Sequence, residues 1–447
     1  AIICLLLVAG CDFLAIRGGV GKSTANIGKV YYSNNTFLNH SAVNPVFSFL
    51  YSLGKAEDFG AQFQTTTREE ATDVFEQLYP TTSDSSVVKL KQPRPNVLMI
   101  ILEGIGSRFI SSLGGAPEVT PRLDSIIASA PVVFTQCYGN SFRTDRALVS
   151  ALSGHLSYPT TSIMKMPAKS KSLPGIAGAL KGAGYDTKFV YGGDINFTNM
   201  QSYLRSTGYD TLVSDADFSA AERTSNAWGV TDHIMFDYLY RDLASRNDST
   251  PWYTTLLTLS SHEPFEVPFD KFPDNPMANA AAYTDHYLGT FIDSLKANPE
   301  IWDNTLILIS ADHGIYFMPE KPRWSPEYFR IPLIITGGAI NMPEQLIIDN
   351  PVGQNDIAAT LLATLGIPQD QFQYSRNVLD EEIAKDGAEV YYSFQNGVAM
   401  ISDSGLVVID NESDKTLLAL PDSSSTSTLR NHAKALLQYL YTDLGEQ

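Results

Sequence analysis

Apolar positions along this chain fall into two patterns, short unbroken runs and longer stretches of helical spacing. Val97-Leu-Met-Ile-Ile-Leu102 is an unbroken apolar run, as expected of a strand buried on both faces of a sheet. Similar runs at residues 131–134, 187–191, 252–259, 305–310 and 331–336 predict further strands. Helical spacing recurs between and after them, at 121–128, 147–153, 175–182, 278–297 and 354–365. Strands and helices alternating in this way argue an α/β sheet covered on both sides.

The pattern changes towards both ends. After residue 375, short strands are predicted at 390–393, 398–401 and 406–409, followed by a closing helix at 428–441. Residues 376–447 therefore read as a small C-terminal α+β annex to a main domain of residues 95–375. Ahead of that domain, residues 45–56 and 67–78 carry helix-compatible spacing, and the polar Thr-Thr-Ser-Asp-Ser-Ser run from Thr81 closes them. Residues 18–94 are accordingly read as a helical juxtamembrane linker. Residues 1–17 are apolar but shorter than the ~20 residues a membrane-spanning helix needs. They read as the trailing end of a transmembrane helix. A second reading is a lipoprotein signal ending at Cys11, although no basic n-region precedes it. Either places the rest of the chain outside the cytoplasm.

Composition narrows the partners. Of 447 residues, 49 are Asp or Glu and 31 are Lys or Arg, a formal net charge of −18. Such a surface repels nucleic acid, so none is expected as a partner. Any membrane attachment must be hydrophobic rather than electrostatic. The three cysteines, Cys4, Cys11 and Cys137, form no disulfide framework. Arg17-Gly-Gly-Val-Gly-Lys-Ser-Thr24 resembles the phosphate loop of a ParA/MinD-type ATPase, with arginine in place of its signature lysine. A phosphate loop must join a strand to a helix. The residues from Asn26 to Asn35 have no helical period and no Walker B strand follows, so the segment is read as a turn and no nucleotide is expected.

Candidate chemistry gathers at predicted strand ends, where open α/β sheets place their sites. Glu103 follows the first strand, Asp312-His313-Gly314 follows the strand at 305–310, and Ser260-Ser261-His262 follows the strand at 252–259. Glu103, Asp312 and His313 supply two carboxylates and an imidazole, a set suited to Mn²⁺ or Zn²⁺. Asn140-Ser-Phe-Arg143-Thr144-Asp-Arg146-Ala147 enters a helix and sets two guanidiniums around a threonine. Metal coordination lowers a hydroxyl's pKa, and flanking arginines stabilise a transferring phosphoryl group. Taken alone, the same segment also reads as an N-cap threonine with solvated arginines.

These motifs, taken in order, resemble a known family. Asn96-Val-Leu-Met-Ile-Ile-Leu-Glu103, Val119-Thr-Pro-Arg-Leu123, the threonine segment, Tyr191-Gly-Gly-Asp194, Thr258-Leu-Ser-Ser-His-Glu-Pro-Phe265, Ala311-Asp-His-Gly314 and Gln354-Asn-Asp-Ile-Ala-Ala-Thr-Leu-Leu362 are similar to motifs of the lipoteichoic acid synthases. The phosphoethanolamine transferases are more distantly similar. Both belong to the alkaline phosphatase/sulfatase superfamily. The resemblance implies a central mixed β-sheet flanked by helices. It implies Glu103, Thr144, Asp312 and His313 as ligands of one divalent metal, Mn²⁺ first and Zn²⁺ or Mg²⁺ as alternatives. Thr144 would double as nucleophile, and His262 would contact the substrate phosphate or protonate the leaving group. Arg143, Arg146 and Asp194 would complete substrate binding. The tryptophan and arginine of the synthase pocket are not reproduced downstream of Asp194, where Phe197, Thr198 and Asn199 stand instead. The implied activity is transfer of a phosphoglycerol or phosphoethanolamine headgroup from a phospholipid to a glycan or lipid acceptor. It would run through a phosphothreonine at the outer face of the bacterial cytoplasmic membrane. The alternatives are a phosphodiesterase or sulfatase-type hydrolase, or a metal-free binding module. A true sulfatase needs a Cys/Ser-x-Pro/Ala-x-Arg motif, and neither Cys137 nor Thr144 sits in one.

Overall fold

The computed structural model describes residues 2–20, 23–33, 35–53, 57–247, 249–381, 383, 388–422, 424 and 426–447. The apolar runs form the strands β1 (Asn96–Leu102), β2 (Val132–Tyr138), β3 (Asp186–Tyr191), β5 (Trp252–Leu257), β6 (Thr305–Ala311) and β7 (Arg330–Thr336). Three short strands join them: β4 (Thr211–Val213), β8 (Leu346–Ile348) and β9 (Val352–Gly353). The sheet order is β4-β3-β5-β1-β6-β7-β2-β8, with β9 also on β2. β7 pairs antiparallel with both its neighbours, β6 and β2, and the other pairings are parallel, so the sheet is mixed. β1 lies between β5 and β6, and its residues Val97 to Leu102 are completely or almost completely buried. That central position explains the unbroken apolar run, because both faces of the strand meet helices.

Helices Pro121–Ser129, Thr144–Ser153, Asp232–Ala244, Pro276–Lys296 and Ile357–Thr364 present buried faces to the sheet. Asp232–Ala244 and the short strands lack a strong signal in the sequence. The helix is interrupted by Asp, His and Arg on its outer side, and β4, β8 and β9 hold three residues or fewer. The annex is a four-stranded antiparallel sheet of β10 (Val390–Phe394), β11 (Gly397–Ser402), β12 (Gly405–Asp410) and β13 (Lys415–Leu420). β13 was not expected, since its side chains are largely half-exposed.

The closing helix, Ser427–Glu446, packs on the linker helix Arg68–Leu78. Phe75 stacks on Tyr439 at 4.0 Å between ring centroids. Gln438 accepts the amides of Thr65 and Thr66 at 2.6 and 2.8 Å. The N-terminal helix Ile2–Arg17 has no buried residue. Among the described residues no helix is long and apolar enough to cross a membrane. The glycine-rich segment after it leads into a 3₁₀ turn, Ile27–Val30, and its Gly21 and Lys22 lie outside the described residues. The linker also holds the helices Thr36–Ala42 and Pro45–Leu53, and the predicted continuation of the latter over residues 54–56 also lies outside the described residues.

One buried ion pair joins linker, main domain and annex. Arg376, 1% exposed, makes a bidentate contact with Asp356, from Nε at 3.1 Å and from Nη2 at 2.8 Å. Its Nη1 donates to the carbonyls of Leu78 and Glu389, at 3.2 and 3.0 Å. Removing one member of a buried pair leaves an uncompensated charge, costing ~3–5 kcal/mol. Arg376→Ala is expected to lower the urea midpoint accordingly, whereas replacing Arg376 and Asp356 together by Met and Leu recovers most of the loss.

A second contact titrates. The Glu389 carboxylate beside His432 Nδ1, at 2.9 Å, raises the imidazole pKa above 6.5. A raised folded value means its stabilisation is full below pH 6.5 and lost as pH rises through that folded value. Thermal melts should therefore separate wild type from His432→Gln in mild acid and converge in mild alkali.

Candidate active site

Parallel pairing of β1 with β6 sets Leu102 opposite Ala311. The next residue of each strand, Glu103 and Asp312, therefore leaves the sheet at the same edge. Both are buried, Asp312 fully. The backbone holds them there. Glu103 donates its amide to Thr258 Oγ1 at 2.8 Å, and its carbonyl accepts from Ser261 Oγ at 2.5 Å. Asp312 Oδ1 accepts the amides of Gly104 and His313 at 2.8 and 2.7 Å. Gly104 turns the chain with φ +66°, and an added Cβ would meet Ile315 at 2.9 Å.

His313 completes the cluster. Its Nδ1 faces the Gly314 carbonyl at 3.1 Å, which places the ring proton on Nδ1. Nε2 then turns a lone pair towards Asp312 Oδ2 at 3.3 Å and Glu103 Oε1 at 3.6 Å. Asp312 Oδ2 is buried with no hydrogen-bond partner. Burial, and then the neighbouring Asp312 carboxylate, push the Glu103 carboxyl well above the usual range. Two carboxylates and an imidazole lone pair converging on an orphaned oxygen repel one another unless a cation lies among them. Potential ligand atoms of the three residues lie within 4.8 Å of one another, and this is the one such cluster among the described residues.

Thr144 opens the helix Thr144–Ser153, and its Oγ1 donates to Glu103 Oε2 at 3.2 Å. The structure thus brings together all four residues expected to hold a metal, and their donor set fits a divalent cation.

The substrate candidates are placed differently. Arg143, at the N-cap, is exposed, with Nε 3.5 Å from Asp145. Arg146 turns away, donating to the carbonyls of Tyr158 and Pro159 at 2.8 and 3.0 Å. Asp194 accepts Ser23 Oγ on Oδ2 and the Asn196 amide on Oδ1, so both its oxygens are engaged. His262 Nδ1 meets the Glu263 carbonyl at 2.7 Å, leaving Nε2 as the basic atom.

The sulfatase family model matches residues 95–367. This chain belongs to the sulfatase family. Among curated relatives it is 24% identical over 309 residues to lipoteichoic acid synthase-like YvgJ of Bacillus subtilis, covering 64% of this chain and 49% of that one. It is 28% identical over 148 residues to phosphoglycerol transferase I of Escherichia coli, covering 30% and 19%. The chain therefore spans half or less of the length of these relatives. Among solved structures, a protein of the alkaline phosphatase superfamily from Vibrio parahaemolyticus superposes with a TM-score of 0.72 at 24% identity, covering 86% and 98%. The lipoteichoic acid synthase LtaP from Listeria monocytogenes superposes at 0.64 and 18%, covering 85% and 98%. The fold is the alkaline phosphatase/sulfatase fold.

Three residues organise this sulfatase-family site in ways sequence reasoning missed, although Gln354 opens one of the quoted motifs. Asp232 is fully buried and accepts the amides of Leu259 and Ser260 at 2.8 and 3.1 Å, fixing the loop that carries His262. Trp228 packs edge-on against His262 at 4.6 Å and donates to the Glu263 carbonyl at 2.5 Å. Gln354 donates to the carbonyls of Ala311 and Asp312 at 2.9 and 2.7 Å. Thr231-Asp232 at a helix start reads as an ordinary cap, and Trp228 carries no signal in the sequence.

Because the carboxylates repel without a cation, metal-free Asp312→Asn should melt above metal-free wild type. Mn²⁺ at a hundred-fold excess over its Kd should stabilise wild type by ~2.7 kcal/mol and leave Asp312→Asn unmoved. Differential scanning calorimetry with and without chelator reads both.

Proposed function

We propose that this chain is the catalytic part of a metal-dependent phosphotransferase. It moves a phospholipid-derived headgroup, phosphoglycerol or phosphoethanolamine, to a glycan or lipid acceptor through a phosphothreonine at Thr144. The observation that carries the reading is the Thr144 hydroxyl directed at Glu103, at the rim of the buried carboxylate–imidazole cluster. The relatives named synthase and transferase support transfer over hydrolysis. A threonine at the nucleophile position, outside any sulfatase maturation motif, speaks against sulfate ester cleavage.

Glu103, Asp312, His313 and Thr144 would hold the cation, with Mn²⁺ preferred because three of the four donors are oxygens. Bound there, it supplies positive charge that offsets the carboxylates and lowers the pKa of an adjacent hydroxyl. In the first displacement Thr144 Oγ bonds to phosphorus, the phosphorus–oxygen bond to diacylglycerol breaks, and the threonine proton passes to the hydrogen-bonded carboxylate. His262, entering the cycle protonated on both ring nitrogens, gives its Nε2 proton to the departing alkoxide. In the second, an acceptor hydroxyl loses its proton to His262 and attacks phosphorus. Thr144 then leaves and regains a proton. Amides at the N-terminus of helix Thr144–Ser153, with exposed Arg143, favour the phosphate oxygens.

In this reading the chain works at the outer face of the bacterial cytoplasmic membrane, and its exposed apolar side chains support the attachment itself. Those of Ile2, Leu6, Phe13, Phe37, Phe49 and Leu50 lie in the first fifty residues, whereas the rest of the described chain exposes few, such as Met318 and Ile347. With a net charge of −18, such attachment rests on burial of apolar surface.

The test is intact-protein mass spectrometry after incubation with Mn²⁺ and vesicles of phosphatidylglycerol and phosphatidylethanolamine. A metal-dependent adduct absent from Thr144→Ala is expected, its mass naming the headgroup, and wild type should float with the vesicles. Metal-loaded protein giving neither adduct nor diacylglycerol would remove the transferase reading. Failure to float would remove the membrane reading alone.

A further inference from the structure

The linker makes a wall beside the catalytic centre. We propose that linker residues 23–26 complete a subsite for an uncharged, hydroxyl-bearing ring of the acceptor, an inference that rests on the transferase reading above. A cavity of about 260 Å³ separates the linker from the loop after β3, lined by Ser23, Thr24, Asn26, Lys165, Phe197 and Asn199. Pockets for drug-sized ligands begin at ~300 Å³, so this space suits a single ring.

The wall is built rather than draped. Besides the Ser23–Asp194 hydrogen bond, Asn26 Nδ2 donates to the Asn196 carbonyl at 3.0 Å. The Gly28 amide donates to Asn199 Oδ1 at 3.2 Å, and Gln201 Nε2 to the Tyr31 carbonyl at 2.6 Å. The approach at Gly28 is close, since an added Cβ would lie 2.8 Å from Asn199 Oδ1. Ser23 itself is buried.

Two contacts tie the cavity to the catalytic centre. Lys165 Nζ pairs at 3.0 Å with buried Asp145, the neighbour of Thr144. Phe197 meets Trp228 edge-on at 5.9 Å, and Trp228 packs on His262.

The lining selects by chemistry. Lys165 is the one charged residue of the lining; its ammonium pairs with Asp145, which Arg143 also approaches, and the Lys29 ammonium on the Ser23 carbonyl is offset by Asp194, so each nearby cation already has a carboxylate and a phosphate gains little here. What remains is the Thr24 hydroxyl, a lone pair on Ser23 Oγ, further ammonium N–H donors and the face of Phe197. Hydroxyl-matching groups beside one aromatic face suit a neutral polyhydroxylated ring. Residues 23–26 lie outside the matched region 95–367, so this wall belongs to the linker.

Saturation-transfer NMR on the whole chain tests the subsite, with methyl β-D-glucopyranoside and glycerol 1-phosphate as separate probes. The glucoside is expected to bind wild type and Thr144→Ala equally. Asn26→Ala and Phe197→Ala should each weaken it by roughly ten-fold while keeping the native melting temperature. Glycerol 1-phosphate should follow Mn²⁺ and ignore Asn26→Ala. No glucoside signal from natively melting protein, or equal binding by Asn26→Ala, overturns the proposal. So does loss of the phosphate probe instead of the glucoside. An absent phosphothreonine adduct with glucoside binding intact overturns the transferase reading and leaves the subsite standing.

Discussion

Two carboxylates forced together at the edge of a parallel sheet set the terms for the rest of this molecule. The pairing of Leu102 with Ala311 gives Glu103 and Asp312 no freedom to separate. Burial strips away the water that would screen them, and that desolvation, followed by the neighbouring Asp312 charge, raises the Glu103 pKa. The surroundings hold this arrangement rather than relieve it. Gly104 and His313 amides fix one Asp312 oxygen, while the other has no partner. Gln354 clamps the strand end from behind through two carbonyls. A cation there would offset both carboxylates, and the Thr144 hydroxyl, 3.2 Å from Glu103 Oε2, stands beside the same cluster.

Segments far apart in the chain converge to support that edge. Asn140, just ahead of the Thr144 helix, donates to the Tyr391 carbonyl at 2.7 Å and accepts the Asn355 amide at 2.8 Å. Its own carbonyl accepts the Ser393 amide at 2.8 Å. The annex therefore braces the loop leading to the candidate nucleophile. Arg376 then binds annex and linker to the Asp356 turn, two residues beyond Gln354. Linker, main domain and annex share one hydrogen-bonded frame, and the family match covers only its middle.

The pocket mouth departs from the synthase pattern in a physically legible way. In the region where that pattern places a tryptophan and an arginine, this chain has Phe197, Thr198 and Asn199, and Asn199 accepts a linker amide. Trp228, carried on the loop before helix Asp232–Ala244, adds a second aromatic ring between Phe197 and His262. Arg146, set beside Thr144 in sequence, is held by two backbone carbonyls. Positive charge near Thr144 thus rests on Arg143, on Lys165 paired with Asp145, and on the helix amides.

The sequence by itself determined the strand–helix alternation, the buried central strand and the placing of Glu103, Asp312 and His313 at strand ends, whereas Thr144 was joined to them only through the family resemblance. These are local matters: an unbroken apolar run has one stable home, and a strand that ends in Glu103 or Asp312 must deliver it to the sheet's edge. Tertiary structure alone decided which oxygens stay unpartnered, which ring nitrogen of His262 is free, and that Asp194 is bonded to Ser23. It also decided that Trp228, Asp232 and Gln354 serve the site. Each of those outcomes depends on groups distant in the chain meeting at hydrogen-bond range. No periodicity or spacing encodes such a meeting, because it is set by how strands, helices and linker close around one another.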